Sequence, residues 1–174
     1  MEQNVSMKIN ELPSPTWNWL KVNETPIKWS TKIELCEIAA EGDAVATETE
    51  QLSDIETGAG READAIFATE NTAKYQILAD NAGQDKTVRL HISGKKDAHT
   101  AGCVEIVAKE NSTLTVVMDS RVAPDATKEE DSTAEASLAV RVRMKVESGA
   151  SVRLVQVQMP QEHETLLSDI GGNL

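Results

Sequence analysis

The feature that most constrains the fold is an alternation of apolar and polar residues after residue 85. In "KTVRLHIS", Val88 and Leu90 alternate with polar neighbours, and in "SLAVRVRMKVES" the apolar residues alternate with Arg141 and Arg143. A period of two places the two sets of side chains on opposite faces of a β-strand. Three more stretches, "GCVEIVAKE", "STLTVVMDS" and "ASVRLVQVQM", follow the same pattern. Residues 85 to 174 are therefore predicted to consist almost wholly of strands and turns.

A weak internal repeat suggests how these strands are arranged. Two strand–turn–strand units, "VEIVAKENSTLTVVM" and "VRMKVESGASVRLVQV", recur at 37 residues, with a strand ending at Glu110 and again at Glu147. Such recurrence is typical of a solenoid. The apolar phase changes between Leu154 and Val155, which predicts a corner or bulge. Near the end, "DIGG" predicts a turn, and the polar stretch "RVAPDATKEEDSTAEA" predicts an exposed or disordered loop. A β-sandwich and a parallel β-solenoid both remain open.

The first 80 residues carry weaker signals. Residues 33 to 38 could form a strand, whereas residues 41 to 60 are rich in Thr, Glu and Gly and are typical of a loop. In "READAIFATENTAKYQIL" the early apolar residues have helical spacing (Ala63, Ile66 and Phe67), and the later part could be extended. Thr16 could cap a short helical turn in "TWNWL". We therefore expect a helical or irregular, acidic region at 1–80 and a β-rich region at 81–174.

The charge of the chain is concentrated in one segment. The net charge is −12, and residues 34 to 70 hold eleven acidic residues against the single base Arg61. An acidic chain repels phosphate backbones and anionic lipids, so neither nucleic acid nor membrane is an expected partner. The segment is interpreted mainly as a solvated face, with a docking surface for a basic partner as the alternative.

The cysteines and histidines are the candidate metal ligands in this sequence. Cys36 and Cys103 are far apart and neither belongs to a CxxC motif, so they are interpreted as buried thiols. His99 precedes Cys103 by four residues, and a His-x₃-Cys pair could contribute to a metal site, but nothing nearby completes the ligand set. His91 is expected on the polar face of a strand, and His163 is expected to be exposed to solvent.

No catalytic constellation is apparent. The chain lacks the GxxxxGK[ST], GxGxxG and GxSxG motifs, and its acid pairs lie in polar stretches. We therefore predict no enzyme activity and name no catalytic, cofactor-binding or metal-binding residue. No run of apolar residues approaches membrane-span length, and the start resembles no signal peptide, so a cytoplasmic location is expected.

Three segments in order resemble the SufB/SufD family of iron–sulfur cluster assembly proteins: "PSPTWNWLKVN", "VEIVAKENSTLTVVMD" and "LVQVQMPQEHETLLSDIGG". The closest resemblance is to short SufD-like members of anaerobic Gram-positive bacteria. It implies a small helical or irregular N-terminal region followed by the first coils of a right-handed parallel β-helix. Because family members are about twice as long, it also implies a chain truncated to the N-terminal half of the family.

The resemblance implies a non-enzymatic scaffold or assembly subunit. Its partners would be SufB-like and SufC-like subunits, with self-association through the β-helix. The family residues tied to cluster formation lie in the part that is missing here, so none is carried over. Iron or an iron–sulfur cluster would be handled by the full assembly, and no cofactor is expected on this chain. The alternative is a standalone β-rich module that binds a protein or a glycan, although exposed aromatic residues on the strands are scarce.

Overall fold

The computed structural model describes residues 4–9, 25–30, 32–80, 83–123 and 135–173. In this part of the chain the fold is mainly β, with twelve strands and one short helix. The elements in chain order are β1 (Asn4–Ile9), β2 (Thr25–Ser30), β3 (Glu34–Leu35), β4 (Glu37–Gly42), β5 (Val45–Glu48), α1 (Arg61–Phe67), β6 (Ala73–Ala79), β7 (Asp85–Ser93), β8 (His99–Ala108), β9 (Thr113–Arg121), β10 (Ala136–Val146), β11 (Ser151–Gln158) and β12 (Glu164–Asn173).

The strands form three sheets. Sheet I has six strands in the order β12-β10-β8-β6-β5, and β3 also pairs with β8. Sheet II has four strands in the order β11-β9-β7-β4, and β1 pairs with β2 in a separate antiparallel sheet. From β6 onward, successive strands enter the two sheets alternately, and each pairs in parallel with the next-but-one strand. Among the described strands, only β4 and β5 join sheets I and II in antiparallel orientation.

The strand register reveals a regular spacing with one insertion. Asp85 pairs with Thr113, and Ala136 pairs with Glu164, so each partner lies 28 positions later. Thr113, however, pairs with Ser151 across 38 positions. The ten extra residues lie between the end of β9 and the start of β10. The predicted recurrence of 37 residues is therefore one short of the true register.

The one-residue difference has an electrostatic consequence. A spacing of 37 would place Glu147 beside Glu110, whereas the observed register places it beside Lys109, with 2.8 Å between Lys109 Nζ and Glu147 Oε1. Like charges directly opposite each other on neighbouring strands are unfavourable, and opposite charges are favourable. Lys109 also holds the pKa of Glu147 below its usual range.

The turns between sheets repeat a left-handed backbone conformation. Gly83, Asn111 and Gly149 have φ angles of 76°, 58° and 69° and occupy equivalent positions. Their backbones are linked because Gly83 N–H donates to Asn111 O, and Asn111 N–H donates to Ser148 O. Glycine and asparagine adopt positive φ more readily than other residues, so the sequence supplies suitable residues at each turn.

The main core lies between sheets I and II. Its largest fully buried side chains come from the alternating apolar positions of both sheets: Ile77, Val88, Leu90, Ile92, Val104, Ile106, Leu114, Val116, Met118 and Leu138. Burying one such side chain contributes about 1.5–3 kcal/mol. The predicted alternation is thereby confirmed for β7 to β10, including the opposite orientation of Arg141 and Arg143 on β10.

A second core covers the outer face of sheet I. Small residues of the sheet, Ala101, Cys103 and Ala139, leave room for the side chains of α1 and of the β1–β2 pair. Helix α1 contributes its buried residues Ala63, Ile66 and Phe67, as their helical spacing predicted. Because both faces are covered, almost every residue of β8 is buried.

Two predictions about the C-terminal segment are wrong. β11 continues without a corner or bulge through Leu154 and Val155, and its register with β9 is uninterrupted. The phase change arises because Val155 and Val157 lie on the outer face, where they are 41% and 38% exposed. The "DIGG" stretch is not a turn, since it belongs to β12. A side chain at Gly171 would collide with the backbone oxygen of Glu56, so glycine permits close packing there.

The N-terminal half is more extended than predicted. The described residues before 80 form β1 to β6 in addition to α1, although a helical or irregular region was expected. The predicted strand at 33–38 is divided into β3 and β4 at Cys36, and β5 lies within the predicted loop at 41–60. The extended structure predicted after α1 is confirmed by β6. The helical turn at Thr16, and most of the polar loop before β10, lie outside the described residues.

Candidate functional site

Polar residues cross the outer face of sheet I in a row. The strand register aligns Lys74, Cys103, Arg141 and Asp169 on β6, β8, β10 and β12. We call these four residues the Arg141 row. Polar side chains on a sheet face that is otherwise covered must find partners, because unpaired burial is costly.

Arg141 and Asp169 form a buried ion pair at the centre of this row. Their exposed fractions are 3% and 1%, and Arg141 Nε donates to Asp169 Oδ2 at 2.7 Å. Arg141 Cζ also lies 4.2 Å from the centroid of the Phe67 ring, a distance suited to a cation–π interaction. Arg141 Nη2, on the other side of the guanidinium, lies 2.8 Å from Oδ1 of the exposed Asp64 of α1. The two groups form an ion pair, but their geometry does not meet that of a hydrogen bond.

Asp169 joins the sheet to the segment that covers it. Its Oδ1 accepts a hydrogen bond from the Ala59 N–H at 2.8 Å, and its Oδ2 accepts one from Thr57 Oγ1 at 2.6 Å. The Gly58 N–H donates to Ile170 O at 3.1 Å beside them. One buried carboxylate therefore fixes the chain just before α1.

A neighbouring row repeats this arrangement with Glu105 and Arg143. Glu105 is 2% exposed and accepts hydrogen bonds from the Ser53 N–H at 2.8 Å and from Gln76 Nε2 at 2.6 Å. Burial opposes its ionisation, but these hydrogen bonds outweigh it and hold the pKa of Glu105 below its usual range. Arg143 Nη1 donates to Ser53 O at 2.8 Å, so both residues bind the same covering segment.

Four residues of the two rows, Lys74, Cys103, Arg141 and Arg143, form the floor of a cavity of about 1150 Å³ under residues 50 to 68. The described residues contribute four basic and four acidic side chains to its lining: Arg61, Lys74, Arg141, Arg143, Glu50, Asp54, Glu56 and Asp64. Most of the basic groups belong to the sheet, whereas the acidic groups belong to the covering segment. The arrangement stabilises an acidic segment on a basic sheet face, and it presents no pairing of nucleophile and base.

The acidic segment at 34–70 is thus not only a solvated face. Asp64 contacts Arg141, and Glu62 accepts a hydrogen bond from the Lys8 N–H at 2.5 Å. Other acidic residues of the segment remain exposed, including Glu37, Glu48 and Glu70. The segment therefore serves two purposes, covering the sheet and presenting an acidic surface.

The two cysteines are buried free thiols, as predicted. Cys36 packs in the core between the sheets, and Cys103 packs on the opposite face of sheet I. Burial raises the pKa of Cys36 to about 12 and that of Cys103 to about 11. Because the thiolate is the reactive form, both side chains are unreactive at neutral pH.

The suggested His99–Cys103 metal pair is not brought together. Both residues lie on β8 four positions apart, which separates them by about 13 Å along a strand. The His99 ring instead contacts Ser137 Oγ and packs 5.9 Å from the Trp29 ring. Among the described residues, no group of three or more His, Cys, Asp or Glu is placed to hold a metal ion.

The other two histidines lie apart from these groups. His91 is on the outer face of sheet II, 3.8 Å from Asp119, with 41% of its side chain exposed. His163 is exposed in the turn before β12 with a φ of 68°. The described histidines therefore do not converge on one site.

The second candidate surface is the end of the stack formed by β11 and β12. Each is the last strand of its sheet and pairs on one side only within the described chain. Val155, Val157, Met159 and Ile170 are exposed there, from 36% to 58%. No charged residue occurs between Leu154 and Met159 on this edge. Edge strands are usually protected by charge, proline or a bulge, so this edge is suited to association.

Sequence reasoning identified the strand faces but missed the ion pair. The sequence pattern correctly predicts Arg141 on the outer side of β10, but it predicts a turn at Asp169, which lies in β12. A signal was present in "LLSDIGG", where a single acid interrupts an apolar strand. Only the register between β10 and β12 places it opposite an arginine.

Comparison with family models, with curated proteins and with solved structures finds no match for this chain. The single helix among the described residues, α1, has seven residues and is far too short to cross a bilayer.

Proposed function

We propose that this chain is a SufB/SufD-like, non-enzymatic subunit of a cytoplasmic iron–sulfur cluster assembly system. Its partners are SufB-like and SufC-like proteins and a second copy of itself. Iron and clusters are cargo of the complete assembly. The proposal rests on the three sequence segments quoted above and on a fold suited to association.

The strand arrangement supports the proposed parallel β-helix. Strands β6 to β12 enter two sheets alternately and pair in parallel at spacings of 28, 29 or 38 residues. Coils of a β-helix produce this order, whereas sandwiches of the immunoglobulin type pair antiparallel strands. The longer spacing is accounted for by one insertion between β9 and β10.

The single observation that carries the proposed association is the unpaired outer edge of β11 and β12, on which residues 154 to 159 carry no charge. Backbone groups on an unpaired edge can pair with the edge of another chain, and exposed valines add apolar area. Of the described aromatic residues, Trp29 and Phe67 are buried and Tyr75 is half-buried. A glycan-binding surface usually exposes aromatic rings, so these residues do not support the glycan-binding alternative.

Sedimentation of matched edge variants tests the association. Val155→Lys places a charge on β11, the last strand of sheet II. Val45→Lys places one on β5, the edge strand of sheet I at the opposite end of the stack. Both valines are exposed, so neither change should unfold the chain. We expect the wild type and Val45→Lys to dimerise and Val155→Lys to remain monomeric. A wild type that stays monomeric from micromolar to near-millimolar concentration refutes association through this edge.

Co-purification with SufB-like and SufC-like proteins tests the family assignment separately. We expect capture of the SufB-like protein by the wild type and loss of that capture with Val155→Lys. If neither the SufB-like nor the SufC-like protein co-purifies with the chain, the proposed role in cluster assembly is refuted, even if the chain forms homodimers.

A further inference from the structure

A groove lies at the opposite end of the stack from β11 and β12. β3 and β6 follow one another along the same edge of β8, because Glu34–Leu35 pair with Thr100 and Ala101 whereas β6 begins opposite Gly102. β5 pairs with β6 only, so the outer edge of β3 has no strand partner among the described residues. The groove has a volume of about 1280 Å³ and runs between residues 35–38, 48–50 and 70–75.

The floor of this groove contains apolar side chains. Leu35 is 49% exposed, one of the few large apolar residues exposed in the described chain. Ile38, Ala73 and Tyr75 line the groove beside it and are half-buried. An apolar side chain of a ligand could therefore be covered here without any change in the fold.

The rim of the groove is acidic. Glu37, Glu48, Glu50 and Glu70 line it and are all exposed, and the described part of the chain provides no ion-pair partner for these four carboxylates. The described part of the chain contributes two lysines to the lining. Lys74 Nζ donates to the backbone Glu50 O at 3.2 Å, and Lys95 Nζ lies 3.6 Å from Glu34 Oε2. The unpaired charge of the rim is therefore negative.

We propose that this groove binds an extended segment of a partner protein that carries lysine or arginine next to an apolar residue. The apolar residue covers Leu35, the basic residues pair with the glutamates of the rim, and the segment lies beside the open edge of β3. Charge selects this occupant, because the exposed glutamates of the rim attract a basic segment and repel an acidic one. The groove is distant in the strand order from β11 and β12, so this proposal is independent of association there.

Peptide binding with matched variants tests the proposal. The probe is the labelled peptide acetyl-KVKLKVK-amide, with acetyl-EVELEVE-amide as the charge-reversed peptide, in fluorescence anisotropy at 50 and 300 mM NaCl. The groove variant is Glu48→Gln/Glu50→Gln/Glu70→Gln. The matched control is Asp85→Asn/Glu110→Gln/Glu162→Gln, which removes the same charge from exposed positions elsewhere.

We expect the basic peptide to bind the wild type and the control equally, within about twofold, and to bind the groove variant about tenfold more weakly. Leu35→Asn should weaken binding about threefold at both salt concentrations, since that loss is not electrostatic. Far-UV circular dichroism confirms that each variant is folded. The proposal is overturned if the control loses as much affinity as the groove variant, if the acidic peptide binds equally well, or if neither peptide binds. A groove variant that loses self-association but not peptide binding would identify a second copy as the occupant and also overturn it.

Discussion

Removal of the Asp169 carboxylate is expected to be among the most destabilising single changes in the described chain. Asp169 accepts hydrogen bonds from Arg141 Nε, the Ala59 N–H and Thr57 Oγ1, all between 2.6 and 2.8 Å. Asp169→Ala leaves a buried cation and a buried N–H without their main acceptor. Breaking a buried ion pair from one side costs about 3–5 kcal/mol. We therefore expect a loss of about 4 kcal/mol, a large fraction of the 5–15 kcal/mol typical of a domain.

Asp64→Ala provides the matched control, because Asp64 contacts the same guanidinium from an exposed position. Its side chain is 59% exposed, against essentially none for Asp169. Solvent screens such a pair, so its loss should cost about 0–1 kcal/mol. Arg141→Met combined with Asp169→Ala should cost less than the sum of the two single changes, since neither charge is then left unpaired.

Urea unfolding followed by circular dichroism near 218 nm measures these differences. Equal, small losses for Asp169→Ala and Asp64→Ala would refute the idea that the buried pair fixes the covering segment. Limited proteolysis adds a local measurement, because release of residues 52 to 60 should make them the first site of cleavage in Asp169→Ala.

Four further changes test other parts of the structure. Glu105→Gln should cost about 1–3 kcal/mol at pH 7. Folding lowers the pKa of Glu105, so the stability that its carboxylate contributes is full above pH 4.5 and is lost as pH falls through the lower folded-state pKa. In urea titrations the free energy of unfolding of the variant should therefore depend less on pH in the acidic range. Burial raises the pKa of Cys36 from 9.0 to about 12, so the stability that depends on its neutral thiol is full below pH 9 and is lost as pH rises toward 12. Cys36→Ala should make the free energy of unfolding decline less over this alkaline range. Gly171→Ala should cost about 1–3 kcal/mol because its methyl group meets the Glu56 backbone. Gly172→Ala, whose nearest neighbours are 3.7 Å away, should change the melting temperature little.

The sequence predicted the strands from β7 to β11 because their apolar residues recur with a period of two. It also predicted α1 from Ala63, Ile66 and Phe67. β12 was missed because its small residues, Gly171 and Gly172, are typical of turns in sequence. In the structure they allow a second chain segment to lie against the strand, and this is a tertiary effect that local pattern does not contain.

The candidate site was less predictable than the fold for the same reason. Arg141 and Asp169 are 28 positions apart and meet only through the parallel register of β10 and β12. The sequence-based repeat of 37 residues concealed that register, because it measured the one interval that contains the insertion. The exposed valines of β11 were visible as a phase change, but local pattern did not distinguish an outward-facing apolar pair from a bulge.

The insertion itself should be dispensable, and the register indicates which residues to remove. Arg121 and Ser137 are separated by ten more residues than the equivalent Ser93 and His99. Deleting residues 125 to 134 makes the separation of Arg121 and Ser137 along the chain equal to that of Ser93 and His99. It retains Val122 and Ala123, which are 1% and 4% exposed. The shorter loop should raise stability by roughly 1 kcal/mol through reduced closure entropy. Deletion of residues 123 to 134 also removes a buried residue and should lower the urea midpoint below that of the ten-residue deletion. If the ten-residue deletion instead unfolds the chain, the spacing of 28 is not the underlying period of this fold.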